Sequence, residues 1–131
     1  MKSSLTIMAV VASILAGCDM PNTQALGVFA TNCAACHGAG GKGDGPMAKD
    51  LPIPPADLTR LALADDGSFP SERVMATIYG YPGKFHSSAM PEFGPLLEGE
   101  QVMWTDSKGQ QVPTPKVLVE LVQYLESIQE G

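Results

Sequence analysis

The sequence predicts an all-α domain, and three observations carry that prediction. Three stretches, 23–32, 70–79 and 114–129, place apolar residues at helical spacing. Gly and Pro together supply 25 of the 131 residues, mostly between those stretches, so long irregular connections should join the helices. The length suits one domain and not two. A chain this small and this rich in loops buries little apolar surface of its own, so its core needs another source of apolar contact.

The first residues stand apart. Lys2 gives a short positive start, and 5–16 is an apolar run of 12 residues. A bilayer span needs roughly 20 residues, so this run is too short to cross, but it suits the core of a signal peptide. It ends in Leu15-Ala16-Gly17-Cys18, which resembles the lipobox of bacterial lipoproteins. That resemblance implies that 1–17 is cleaved, that Cys18 becomes the lipidated first residue, and that 18–22 is a tether ahead of a domain over 23–131. Several acyl chains would anchor it durably, whereas one gives only marginal binding. It also implies the periplasmic face of a bacterial membrane. Asp19 resembles the signal that retains lipoproteins on the inner membrane of some Gram-negative bacteria. An ordinary signal peptide cut elsewhere would instead leave Cys18 a free thiol.

The helix over 23–32 draws its apolar surface from Ala25, Leu26, Val28 and Phe29. Gly27 costs it about 1 kcal/mol against alanine, which points to close approach by another helix. Next comes Cys33-Ala34-Ala35-Cys36-His37, the attachment pattern of c-type haem. Both sulfurs must reach one edge of a porphyrin, and two small residues between them allow the tight turn. The adjoining histidine can then bind iron from below. A bare C-x-x-C would be ambiguous with zinc or disulfide exchange, and a non-haem protein using Cys33, Cys36 and His37 is the rival reading. Haem takes Cys33 and Cys36 and lipid takes Cys18, so no cysteine is left for a disulfide.

The glycine-rich run 38–45 is not a phosphate loop, because Lys42 is followed by glycine rather than Ser or Thr. It should wrap the proximal edge of the haem. Three prolines keep 51–58 extended, with apolar side chains against the haem. Asp65-Asp66-Gly67 reads as a solvated turn. The helix over 70–79 carries Val74 and Ile78 at i, i+4, and Gly80 is placed to end it. Beyond 98 the chain makes an excursion. The segments 101–104 and 110–113 flank Thr105-Asp106-Ser107-Lys108-Gly109, consistent with a small hairpin. Thr114 and Pro115 form an N-cap and N1 pair for the last helix, with Val117, Leu121, Tyr124 and Ile128 along one stripe.

These motifs, in this order over about 23–129, resemble the class I cytochromes c. The resemblance implies three to five helices around one covalent haem c, with long Gly/Pro-rich loops. Gly27 and Phe29 match the positions at which the family's N-terminal helix crosses its C-terminal helix, and Tyr124 matches the aromatic packed on that glycine. In the family a proline carbonyl accepts a hydrogen bond from the proximal imidazole. Pro46 is the first candidate, with Pro54 and Pro55 next. Met90-Pro91 resembles the distal-ligand loop, which makes Met90 the sixth iron ligand opposite His37. Met75 reads as core, Met47 lies too near His37, Met103 has no adjoining proline, and His86 is the rival ligand. Tyr79 or Tyr81 would bond a haem propionate or sit in the core. Trp104 would pack over the haem or face a partner.

The implied function is one-electron transfer without catalysis of its own, either as a free carrier or as a subunit of a larger oxidoreductase. The alternative is a haem subunit or gas sensor with an open or labile sixth position. A formal charge of −6, made more negative by haem propionates, argues against nucleic acid. Neutral or basic redox proteins at the membrane are the expected partners.

Overall fold

The computed structural model describes residues 23–80 and 90–131. Helix α1 is Thr23–Asn32, and α2 is the single turn Ala34–His37. Helix α3 is Ser71–Tyr79 and α4 is Lys116–Ser127. Strands β1, Gln101–Thr105, and β2, Gln111–Pro115, pair antiparallel. Short 3-10 turns at Ala48–Asp50, Leu58–Arg60, Leu63–Asp65 and Gly94–Leu96 punctuate the loops. The all-α expectation is therefore corrected. The domain is helical, with a small two-stranded sheet.

The core is built where α1 and α3 pack against α4. Helix α1 buries Ala25 and Phe29, four residues apart on one face. Helix α4 buries Val117, Leu118, Leu121, Val122 and Leu125, a broad stripe at 3.6-residue spacing. Phe29 meets Tyr124 edge to face, with ring centroids 5.2 Å apart at 66°. Leu118 and Leu121 are almost fully buried, and each contributes about 1.5–3 kcal/mol through burial.

Gly27 does not mark the crossing. It is exposed, and a Cβ placed there would meet nothing within 4 Å. With Ala25 and Phe29 turned inward, the residue midway between them points away from α4. Tyr124 packs on Phe29 instead of on a glycine.

Helix α3 ends where sequence placed its end. Gly80 adopts φ 88° and donates its N–H to the Ala76 carbonyl. The segment after Met90 is fastened to the same helix end. Phe93 donates its N–H to the Ile78 carbonyl at 2.9 Å, and the Tyr79 hydroxyl bonds Glu98 at 3.1 Å. Tyr79 thus holds the returning chain, whereas Tyr81 and His86 lie outside the described residues.

The hairpin turns on Asp106, whose carboxylate accepts the N–H groups of Lys108 (2.9 Å) and Gln110 (2.7 Å). The Glu72 carboxylate of α3 accepts the Ser107 N–H and ties this turn to the helix. On the inner face Val102, Trp104, Val112 and Thr114 are shielded, while Met103 is exposed on the other. Trp104 pairs with Val112 and packs against the core. Thr114 does not cap α4. It pairs with Val102, and its hydroxyl donates to the Val112 carbonyl at 3.0 Å. The helix starts only at Lys116, after the strand register releases the chain.

Among the described residues no helix is long and apolar enough to cross a membrane. The expected signal peptide over 1–17, Cys18 and the tether over 18–22 lie outside the described residues.

Candidate functional site

Helix α1 runs straight into the C-x-x-C-H turn. Cys33 donates its N–H to the Phe29 carbonyl at 2.9 Å, and His37 donates to the Cys33 carbonyl at 2.9 Å. One turn of α2 therefore presents Cys33, Cys36 and His37 to a single cleft.

The glycine-rich loop then folds back onto α2 and satisfies its orphan carbonyls. Gly43 donates to His37 O (2.8 Å), Gly45 to Cys36 O (3.1 Å) and Met47 to Ala35 O (2.9 Å). Two of these contacts leave no room for a side chain. A Cβ on Gly45 would collide with the Ala35 and Cys36 carbonyls, and one on Gly43 would lie 2.6 Å from the Pro55 oxygen. The N–H groups of Gly43 and Gly45 are thus spent on the chain's own carbonyls, in keeping with the rejected phosphate-loop reading.

The imidazole of His37 bonds Ala56, not Pro46. His37 Nδ1 lies 2.9 Å from the Ala56 carbonyl oxygen. Only a protonated Nδ1 can donate to that carbonyl, which leaves the Nε2 lone pair free for a metal. Pro46 is exposed and lines no part of the cleft. Its neighbours explain why: Gly45 and Met47 are both bonded to α2, so Pro46 stays against the helix backbone. The chain comes back under the imidazole only after Pro54-Pro55.

The cleft has two lobes, of about 340 Å³ and 190 Å³, and Cys33, His37, Ala56, Thr77 and Met90 line both. Leu51, Ile53 and Phe93 close the larger lobe, and Leu121 and Leu125 floor the smaller. Of the methionines at 47, 75, 90 and 103, Met90 alone reaches the cleft. Met47 and Met103 are exposed, and Met75 is buried in the core. Trp104 does not line it. Thr77 and Asn32 are lining residues that sequence reasoning missed. Each spends its polar group on its own helix, Thr77 Oγ1 on Arg73 O (2.7 Å) and Asn32 Nδ2 on Val28 O (3.1 Å). They therefore carried no chemical signal of a site.

Burial pushes the Cys33 thiol up to about 11, with the neighbouring Cys36 adding to the effect. Two thiols on one turn, an imidazole with a fixed tautomer and an apolar two-lobed cavity fit a covalently held, flat macrocycle. Among the described residues no cluster of three or more His, Cys, Asp or Glu could hold a metal ion by itself.

The family model described as cytochrome c oxidase, cbb3-type, subunit III matches residues 21–105. The chain belongs to this family of c-type cytochrome domains. No curated protein and no solved structure gives a significant match. As a c-type cytochrome domain it takes covalent haem c and serves electron transfer. The match ends with the last residue of β1, so β2 and α4 of the cytochrome lie beyond it.

Proposed function

We propose that this cytochrome is a membrane-anchored, monohaem carrier of single electrons with His37 and Met90 as axial iron ligands. Cys33 and Cys36 hold the haem covalently. When bound, the haem supplies one-electron Fe(II)/Fe(III) chemistry.

The observation that carries the reading is the position of Met90. It is the one methionine among the described residues that lines the cleft, and it shares both lobes with His37. Its thioether is a soft, weakly basic donor suited to a sixth position that is filled and stays filled. His37 donates Nδ1–H to Ala56 and offers Nε2 to the metal. Phe93, bonded to Ile78, fixes the chain three residues beyond Met90. The cleft walls are mainly apolar, and His37 with Met90 would fill both axial positions and leave none for substrate.

Export, cleavage after Gly17 and lipidation at Cys18 complete the proposal, with 18–22 as tether. The protein then works at the periplasmic face of a bacterial membrane, on the inner membrane in a Gram-negative cell. Lipid anchoring raises its effective concentration for membrane-bound partners. Those partners are redox proteins, or the other subunits of an oxidase complex such as the family's name describes. The net charge of −6 favours neutral or basic docking faces.

Carbon monoxide added to the ferrous holoprotein tests the reading. A filled, stable sixth position predicts a low-spin spectrum that carbon monoxide barely changes. Ready binding would show an open or labile site, and the gas-sensor or enzyme-subunit reading would replace this one.

A further inference from the structure

We propose that Gln129 is a positioning residue for the proximal haem ligand, acting from beyond α4 on the segment that carries the Ala56 carbonyl. The inference rests on the reading of His37 as the proximal ligand.

Ala56 accepts the His37 Nδ1–H, so the strength of that hydrogen bond depends on how firmly 55–60 is held. On one side the segment is stiffened by Pro54-Pro55. On the other it is gripped by long-range bonds. Leu58 donates its N–H to the Gly41 carbonyl at 2.7 Å. The Gln129 amide then ties Leu58 in that segment and Ala62 just after it to Leu125 of α4. Its Nε2 donates to the Leu58 carbonyl (2.7 Å) and the Leu125 carbonyl (2.7 Å), and its Oε1 accepts the Ala62 N–H at 2.9 Å. These partners fix the orientation of the amide, since the reverse flip would face N–H against N–H and oxygen against two oxygens.

Neighbours of Gln129 reinforce the grip. Glu130 donates its N–H to the Thr59 carbonyl at 2.7 Å, and Ile128 Cδ1 would lie 3.1 Å from a Cβ on Gly41. The residues after α4 thus pack on the loops at 41 and 58–62. Gln129 lines neither lobe. Residues 128–130 lie outside the stretch that matches the family.

A firm Nδ1–H···O bond gives the imidazole more imidazolate character, strengthens it as a donor and favours ferric iron. Loosening the segment therefore weakens the donor and shifts the ferric/ferrous equilibrium toward ferrous.

The test compares full-length holoproteins. Gln129→Ala removes the amide. Gln129→Glu keeps an acceptor for Ala62 but, when ionised, cannot donate to Leu58 or Leu125. Val122→Ala, a core truncation that lines neither lobe, serves as the stability control. The expected result is a higher reduction potential for both Gln129 variants and an unchanged potential for Val122→Ala. In a Met90→Ala background, where the ferrous iron is five-coordinate, the iron–histidine stretching frequency should fall in both Gln129 variants. If Gln129→Glu and Gln129→Ala lower stability while the potential matches wild type and the stretching frequency matches that of Met90→Ala alone, the proposal is overturned. The stretching measurement needs only His37 ligation, so it stands even where the sixth position of the wild type proves to be open.

Discussion

At Cys33, Cys36 and His37 a single helical turn presents two thiols and an imidazole to one cleft, and that turn stands in five consecutive letters of the sequence. The double substitution Cys33→Ala/Cys36→Ala should abolish haem staining of the protein band on a denaturing gel. Each single variant should retain staining through one remaining thioether. A double variant that still stains would contradict covalent attachment at this turn. The acceptor for His37 was not legible. Sequence proximity and family habit pointed to Pro46, but a backbone carbonyl has no signature in the side chain that precedes or carries it. Only the folding back of 38–47 onto α2 excludes Pro46, and only the pair Pro54-Pro55 hints that the chain re-enters near residue 56.

Beside Ala56, Asp57 offers a pH-dependent prediction. Its carboxylate accepts from the Thr59 hydroxyl (2.6 Å) and the Thr59 N–H (2.9 Å), and the hydroxyl contact is the main reason its pKa is lowered. A carboxylate with a lowered folded pKa stabilises the fold above its unfolded pKa. That contribution disappears as pH falls through the folded value. The stability gap between wild type and Asp57→Asn should therefore be widest near neutrality and close below about pH 4. Denaturant unfolding of the holoproteins across that range measures it. A gap that does not change with pH would show that the carboxylate charge contributes nothing.

Among the elements, the helices were read well because each declares itself locally. The helix expected over about 23–32 is α1, and Gly80 ends α3 through its positive φ. The hairpin was visible as a turn sequence between two short polar-apolar runs. Its effect on the next helix was not, since Thr114 has the chemistry of a cap but is held by strand register. Gly27 misled for a related reason. A costly glycine in a helix suggests close packing, yet which face turns inward is decided by Ala25 and Phe29. The α1–α4 crossing accordingly depends on the aromatic pair. Phe29→Ala should lower unfolding free energy by about 3–5 kcal/mol, whereas Gly27→Ala should be neutral or stabilising by up to about 1 kcal/mol. Chemical unfolding of the two variants decides this. A large loss at Gly27→Ala would restore the glycine to the helix crossing.

On the scale of the whole molecule, two far-separated segments converge on the cleft. Residues 23–61 supply the attachment turn and the proximal acceptor, and Met90 enters after α3. Helix α4 floors the cleft with Leu121 and Leu125 although the family match stops before it. Motif order made the class of protein legible from sequence. Contacts between residues 67 to 71 apart, such as those of Gln129, carry no local pattern and emerge only from the fold.

The identity of the sixth ligand remains the centre of the account, and proton NMR of the ferrous holoprotein tests it most directly. A methionine methyl held against the iron lies over the macrocycle, whose ring current moves its three-proton resonance far upfield. One such resonance is expected in wild type, with its retention in His86→Ala and its loss in Met90→Ala. An upfield methyl that survives Met90→Ala, or none in wild type, would contradict it.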